Sequence, residues 1–599
     1  MKNSIKNKIT KGVVSGLLCL MTASSLIPSA AFADDATTTP EHVYAPAELT
    51  VTGGTAGDNE TWSAYKIFDA DIADDGTATN LHFARNNTDA MGFSRFLAGL
   101  DLDGDGVKDY QAWQEAHNNI NSSARARAEF FLEAISKDSS IAEYLISEED
   151  SDIFETKEAM GVADRFSHRF KTKTPDAVSD TNGHFTGLTE GYYIIITTPE
   201  TIDEGETGSA PMYVAVGGPV TTIESKSAPV STTFQVKEDS TGEFGVYADS
   251  NTFQDLDYRV IGTLPANINA YSSYRDTYEF TLPAGISLAG TESVDDQSLS
   301  SVKIFLNNVD VTAFAETSRV NFDEGEHAFT ISISDIKSLA AEQGIVLTGN
   351  DSVEVTYQAH VDGTVALFDT MGYYKKTSMV RTYTQDPVTL ADRTSVTKYV
   401  TNETYLSGAD CVDRDTFEFL SDAGFQIIAQ TDVTADQLDP NYSASDPVYV
   451  QPDGSLGVTP YEFFTTSDIT MDERKGGEFR VPNLDSGTYI FHESTVPEGY
   501  QEPPTDVTLT IEHNFNPETG PREVAHYSVT GGWQPDLDGQ HAPMILNGCF
   551  ALAPQKKAFV MPFTGLTGNL GLYALAGSLG LVGAAGIALG LRRRNNEQE

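Results

Sequence analysis

Short runs of β-branched and aromatic residues alternate with clusters of Gly, Asp, Asn and Pro along most of the chain. Tyr192–Thr198, Val353–Ala359 and Val507–Ile511 are of this kind. Runs bounded by turn formers predict strands. One region departs from the pattern. Between Ala124 and Ile146, Phe130, Leu132, Ile135, Ile141, Tyr144 and Leu145 recur at roughly helical spacing, which predicts a helix packed on the first β domain. One repeat stands out. Leu188-x-x-Gly191-x-Tyr193-x-Ile195 returns as Leu484-x-x-Gly487-x-Tyr489-x-Phe491. Each copy reads as a turn leading into a strand whose alternate residues face inward. The second copy runs on to Glu493, where the first has Thr197.

Pro-containing breaks at Ser227-Ala228-Pro229 and Gln385-Asp386-Pro387 divide the chain into β-rich domains at 34–228, 229–390 and 391–550. A polar stretch from Ala551 to Lys557 reads as a linker, within a segment 551–565 that leads from the last β domain to an apolar run. The two ends read as addresses. Residues 1–33 have a cationic start (Lys2, Lys6, Lys8, Lys11), an apolar run from Val13 to Ile27 and Ala31-Phe32-Ala33. This is the layout of a secretory signal peptide. At the other end, residues 566–599 combine an apolar stretch, Leu566 to Leu591, with Arg592-Arg593-Arg594. The stretch is long enough to span a bilayer, and the arginines stop it on the inner side.

Composition narrows the function. The 599 residues carry a formal net charge of −49, which repels nucleic-acid phosphates and argues against nucleic-acid binding. Three Cys exclude a cystine-dense scaffold. The chain shows no His-x-x-x-His, no Gly-x-Ser-x-Gly and no phosphate loop, so the expectation is a protein that is not an enzyme and requires no cofactor.

Met561-Pro562-Phe563-Thr564-Gly565, ahead of the apolar stretch and the arginines, resembles the sorting signal of Gram-positive wall proteins, with Met561 in place of Leu. The resemblance implies that sortase cuts between Thr564 and Gly565 and joins Thr564 to an amine. Tyr489-Ile-Phe-His-Glu493-Ser-Thr-Val-Pro497-Glu-Gly499-Tyr500 is similar to the E-box of Gram-positive backbone pilins and related fimbrial subunits. Trp62-Ser-Ala-Tyr65-Lys-Ile-Phe68 resembles the opening of their N-terminal domain. Tyr258 to Pro265 and Phe280 to Gly285 resemble their middle domain. The implied fold is mainly β: tandem immunoglobulin-like sandwiches of the collagen-adhesin type, with some helix in the N-terminal domain. The implied function is a structural subunit of a sortase-assembled fimbria that supports adhesion. The alternative is a monomeric wall-anchored adhesin, or a tip or basal pilin. Its partners would be sortase, neighbouring pilin subunits or peptidoglycan, and an unknown host receptor.

The same resemblance implies an intramolecular Lys–Asn isopeptide bond. A buried Lys favours its neutral amine, and a buried carboxylic acid can shuttle protons while polarising the amide. In the third domain the parts are assigned as Lys398 in the first strand, Glu493 as the acid and Asn547 in the last strand, Met544 to Asn547. In the middle domain the corresponding positions hold Phe234, Phe280 and Gln385, so a hydrophobic core is expected there in place of the bond, with Lys237 and Glu279 as the fallback pair. Polymerising pilins carry a Tyr-Pro-Lys motif that this chain lacks; Lys226, at the equivalent junction, is the candidate polymerisation lysine.

Two further constellations are legible. Asp101, Asp103, Asp105 and Asp109, with Gly106 among them, match the start of a calcium loop, although position twelve is Ala112. Cys411 and Cys549 are the cysteines left after signal removal, and export permits a disulfide between them.

Overall fold

The computed structural model describes residues 43–53, 60–84, 109–117, 124–137, 174–290, 299–321, 327–362, 373–388, 390–466, 470–471, 474–475, 477–513, 525–532, 544–546 and 550–558. The fold is mainly β, in tandem two-sheet units.

In the first unit, Trp62–Ile72 pairs on one side with Gly191–Thr197 and on the other with Ala78–Phe83. This strand is buried along almost its whole length rather than at alternate positions. One face meets the small sheet of Pro46–Thr52, His184–Thr189 and Thr222–Glu224 through Leu49, Val51, Phe185 and Ile195. The other face meets the helices Asp109–Ala116 and Ala124–Lys137. Phe131 closes that layer, 5.8 Å from the Phe68 ring and 6.3 Å from Phe83. The predicted helix therefore packs on the first sheet as its periodicity required. It is described to Lys137, and Ile141, Tyr144 and Leu145 lie outside the described residues.

The middle unit packs the sheet containing Thr232–Lys237, Leu256–Thr263 and Ser352–Val361 against that of Asp276–Leu282, His327–Ile333 and Tyr373–Thr384. Strict alternation of buried and half-buried positions in Leu256–Thr263 marks a strand with one face in the core.

The boundary after the middle unit differs from the break at 390/391. Lys398–Asp413 is one continuous strand. Its first half, Lys398–Thr404, pairs antiparallel with Tyr373–Met379 and extends the middle sheet. Its second half pairs with Glu478–Leu484 and runs parallel to Phe550–Lys557, in the third unit. The Pro-containing break misled because the chain turns at Asp386–Pro387 and then re-joins the same sheet through Asp392–Thr394. Ala551–Lys557 is likewise no linker. It belongs to the strand Phe550–Lys557, paired with Gly408–Asp413. Pro554 and the polar run Gln555-Lys556-Lys557 hide its strand character in the sequence. The second sheet of the third unit holds Gly424–Gln430, Gly487–Thr495 and Val507–Glu512.

Both copies of the internal repeat fold alike. Tyr193 donates its hydroxyl to the Thr189 carbonyl at 2.8 Å, and Tyr489 does the same to Asp485 at 2.9 Å. Gly191 and Gly487 have φ of 156° and 154°. At Gly191 a Cβ would lie 2.3 Å from the Phe68 carbonyl oxygen, so only glycine fits beside that strand.

Candidate functional site

Glu493 lies on the inner face of Gly487–Thr495 and is 5% exposed. Burial raises its pKa to about 7, and a hydrogen bond from Gln555 partly offsets the rise. The Gln555 side-chain amide donates to Glu493 Oε2 at 2.8 Å. Cys411 completes the group. It is a free thiol with no exposed surface, and its titration feels both the Gln555 side chain and the charge of Glu493. Burial, with Glu493 nearby, pushes the thiol well above its usual range. The parallel register explains the meeting. Cys411 stands opposite Ala553 and Asp413 opposite Gln555, so Gln555 is the diagonal neighbour of Cys411 on one face. Glu493 reaches them from the facing sheet. Glu493 Oε1 and Gln555 Oε1 are buried without a hydrogen-bond partner.

The structure does not bring Lys398 to this acid. Lys398 is half-buried and sits opposite Met379, in the middle unit's sheet. Cys411 is thirteen residues further along the same strand, roughly 40 Å at strand rise. Lys398 and Cys411 stand at opposite ends of one strand, Lys398–Asp413, which pairs in the middle unit at its start and in the third unit at its end. Asn547 and Cys549 lie outside the described residues. Cys411 is a free thiol in the structure, and Cys549, its candidate disulfide partner, lies outside the described residues.

In the middle unit, Phe234 and Phe280 touch in the core, ring centroids 5.9 Å apart and edge to face. Phe280 also stacks on Phe329 at 4.5 Å. Gln385 points elsewhere, donating to the Asp203 carbonyl of the first unit at 2.9 Å. The fallback pair is apart: Lys237 bridges to Asp257 at 3.7 Å, while Glu279 is exposed on the other sheet. Sequence reasoning missed the polar centre of this core. Arg381 and Asp276 form a fully buried, two-pronged ion pair, with Nε–Oδ1 at 2.7 Å and Nη2–Oδ2 at 2.8 Å. Tyr278 donates to the same carboxylate at 2.8 Å. Gly262 leaves room for it, since a Cβ there would lie 2.7 Å from Arg381 Cζ.

Lys226 is exposed on a backbone held from both sides: its N–H donates to Ser209 Oγ at 2.9 Å, and its carbonyl accepts from Asn267 Nδ2 at 2.9 Å. Of the calcium-loop residues, Asp101, Asp103 and Asp105 lie outside the described residues, and Asp109 opens the helix Asp109–Ala116. Another acidic group forms where the middle and third units meet. Carboxylate oxygens of Glu238, Asp239 and Asp249 lie within 4.8 Å of one another. Burial, with Asp249 alongside, raises Glu238 to about 9. Asp485, from the third unit, is also pushed well up by burial and by these neighbours.

The third unit is therefore a β-sandwich with a buried acid shared by its two sheets. Residues 410–520 match the family of the SpaA prealbumin-like fold domain. Among solved structures, the chain is similar to the T6 backbone pilin of serotype M6 Streptococcus pyogenes (12% identity, 86% of this chain and 99% of that one, TM-score 0.42). It is also similar to the major pilin SpaA of Corynebacterium diphtheriae (12% identity, 86% and 100%, TM-score 0.41) and to SpaD of the same organism (11%, 86% and 98%, 0.38). No curated protein matches the chain. The fold is pilin-like: mainly β, in tandem sandwiches. Among the described residues no helix is long and apolar enough to cross a membrane; 566–599 lie outside them.

Proposed function

We propose that the chain is a structural subunit of a sortase-assembled fimbria on a Gram-positive surface, anchored through Thr564 after cleavage before Gly565. The observation that carries this reading is the match of residues 410–520 to the SpaA prealbumin-like domain, in a chain that ends in Met561-Pro562-Phe563-Thr564-Gly565 and an apolar run. Lys226 supplies the acceptor amine for the next subunit's Thr564. Its ammonium is in solvent while its backbone is fixed, which suits an attack on an enzyme-bound acyl group. Glu493 serves as the acid of a self-processing site in the third unit. Adhesion to a host receptor is the role such a fimbria would serve.

The test is the covalent ladder in cell-wall extracts. The parent chain should give a ladder, Lys226→Arg should collapse it to monomer, and Thr564→Ala should release the protein from the wall. A wall-bound monomer without a ladder would favour a single adhesin or a tip or basal pilin, the reading to which the missing Tyr-Pro-Lys motif points.

A further inference from the structure

We propose that Cys411 and Gln555 become joined by an intramolecular thioester, formed once with loss of ammonia, which staples the first and last strands of the third unit. The inference deepens the reading of Glu493 as a self-processing acid and rests on it. It also replaces the amide that a lysine nucleophile would have given.

Three buried side chains from three strands are gathered between the two sheets of the third unit. The nucleophile is the Cys411 thiol, fully buried and unbridged. The electrophile is the Gln555 carboxamide, 2% exposed and the diagonal neighbour of Cys411 across the parallel strand pair. Glu493 holds the carboxamide nitrogen at 2.8 Å and is near the sulfur. Two buried oxygens of this group, Glu493 Oε1 and Gln555 Oε1, have no partner. Native interiors rarely leave such atoms unmatched. A resting hydrogen-bonded cluster leaves them unexplained, whereas a reacting pair would use them: Glu493 Oε1 can take the thiol proton, and Gln555 Oε1 is the carbonyl oxygen that receives charge during attack.

The step balances without any other reactant. A bond forms between Cys411 Sγ and Gln555 Cδ, and the bond from Cδ to Nε2 breaks. The thiol proton passes through Glu493 to Nε2, and nitrogen leaves as ammonia. Nothing is oxidised or reduced. An acid poised near neutrality suits this shuttle, since it must accept and return one proton. Holding thiol and amide in contact replaces a bimolecular encounter. Dilution of the ammonia opposes reversal, and burial keeps water and amines from the product. The bond would therefore be a hidden staple rather than a reactive surface group.

The experiment uses the full exported chain, freed of disulfides with a phosphine. Intact mass should fall one ammonia short of the sequence. After unfolding, iodoacetamide should label Cys549 but not Cys411. Hydroxylamine added to the unfolded chain should free the Cys411 thiol and leave a hydroxamate at Gln555, located by peptide mapping. The same reagent should do nothing to the native chain. Glu493→Gln and Cys411→Ala should both show full mass. Full mass in the parent, with both cysteines labelled, would overturn the proposal. So would an ammonia deficit that survives hydroxylamine, because that is an amide cross-link. The hydroxylamine result needs no variant to fold, and the ladder assay above is independent of it, so failure of either reading leaves the other distinguishable.

Discussion

Buried charge decides the behaviour of several single residues. Arg381 and Asp276 neutralise each other in the middle core, with no exposed surface on either side chain. Removing one partner leaves the other as an uncompensated buried charge. Arg381→Met should therefore cost about 3–5 kcal/mol in denaturant unfolding. Arg381→Met with Asp276→Leu should recover most of that loss, because the pair as a whole contributes little beyond its mutual compensation. A single-variant cost below about 1 kcal/mol, the scale of an exposed pair, would refute this account.

The acids at the junction of the middle and third units titrate in the opposite sense from surface carboxylates. Glu238 is raised to about 9, mainly by burial. A carboxyl with a raised folded pKa gives stability that is fully present below its unfolded value and is lost as pH rises through the folded one. Stability should thus decline between about pH 4.5 and 9. The thermal midpoint at pH 5, 7 and 9 checks the sign. Glu238→Gln, which stays neutral, should flatten the decline; a midpoint that climbs with pH would rule out protonated acids here.

At the level of elements, the decisive feature is the strand Lys398–Asp413, which belongs to two sheets in succession. Asn402 on it accepts a hydrogen bond from Tyr258 at 2.6 Å inside the middle unit. Cys411 on the same strand lies in the third. Such a shared strand couples the two units, since neither can release it without breaking the other's ladder. Calorimetry of residues 34–564 should show the middle and third units melting together. A flexible Gly-Gly-Ser inserted between Glu403 and Thr404 should separate them into two transitions. Two resolved transitions already present in the parent would contradict the coupling.

The strand Phe550–Lys557 makes a second element-level prediction. A chain ending at Cys549 lacks it, and with it the parallel partner of Gly408–Asp413 and the Lys557–Asp413 bridge at 2.9 Å. A chain ending at Ala558 keeps both. The shorter chain should lose its third unit to limited proteolysis while the longer resists, because exposed unpaired edges and an opened core admit the protease.

Across the whole molecule, the proposed function divides its roles among three parts of the sequence: Thr564 as the anchor, the exposed Lys226 as the acceptor amine and the buried Glu493 as the acid. Local pattern alone predicts the β class, the helix through Phe130 and the repeat around Tyr193 and Tyr489, whereas Glu493 is singled out by the resemblance of its segment to the E-box. Periodicity and turn residues are local properties, and a chain segment of ten or so residues expresses them. Phe234 and Phe280 were legible for a related reason: two large apolar residues at alternating strand positions have few places to go but a core. Partner choice was not legible. Whether Glu493 meets Lys398 or Cys411 depends on which part of a long strand crosses which sheet, and whether Gln555 is linker or core depends on a parallel pairing to residues far away in sequence. Pairing register is set by long-range packing, and only the tertiary structure fixes it. The same holds for Arg381 and Asp276, whose charges look like surface residues until the fold closes them into one another.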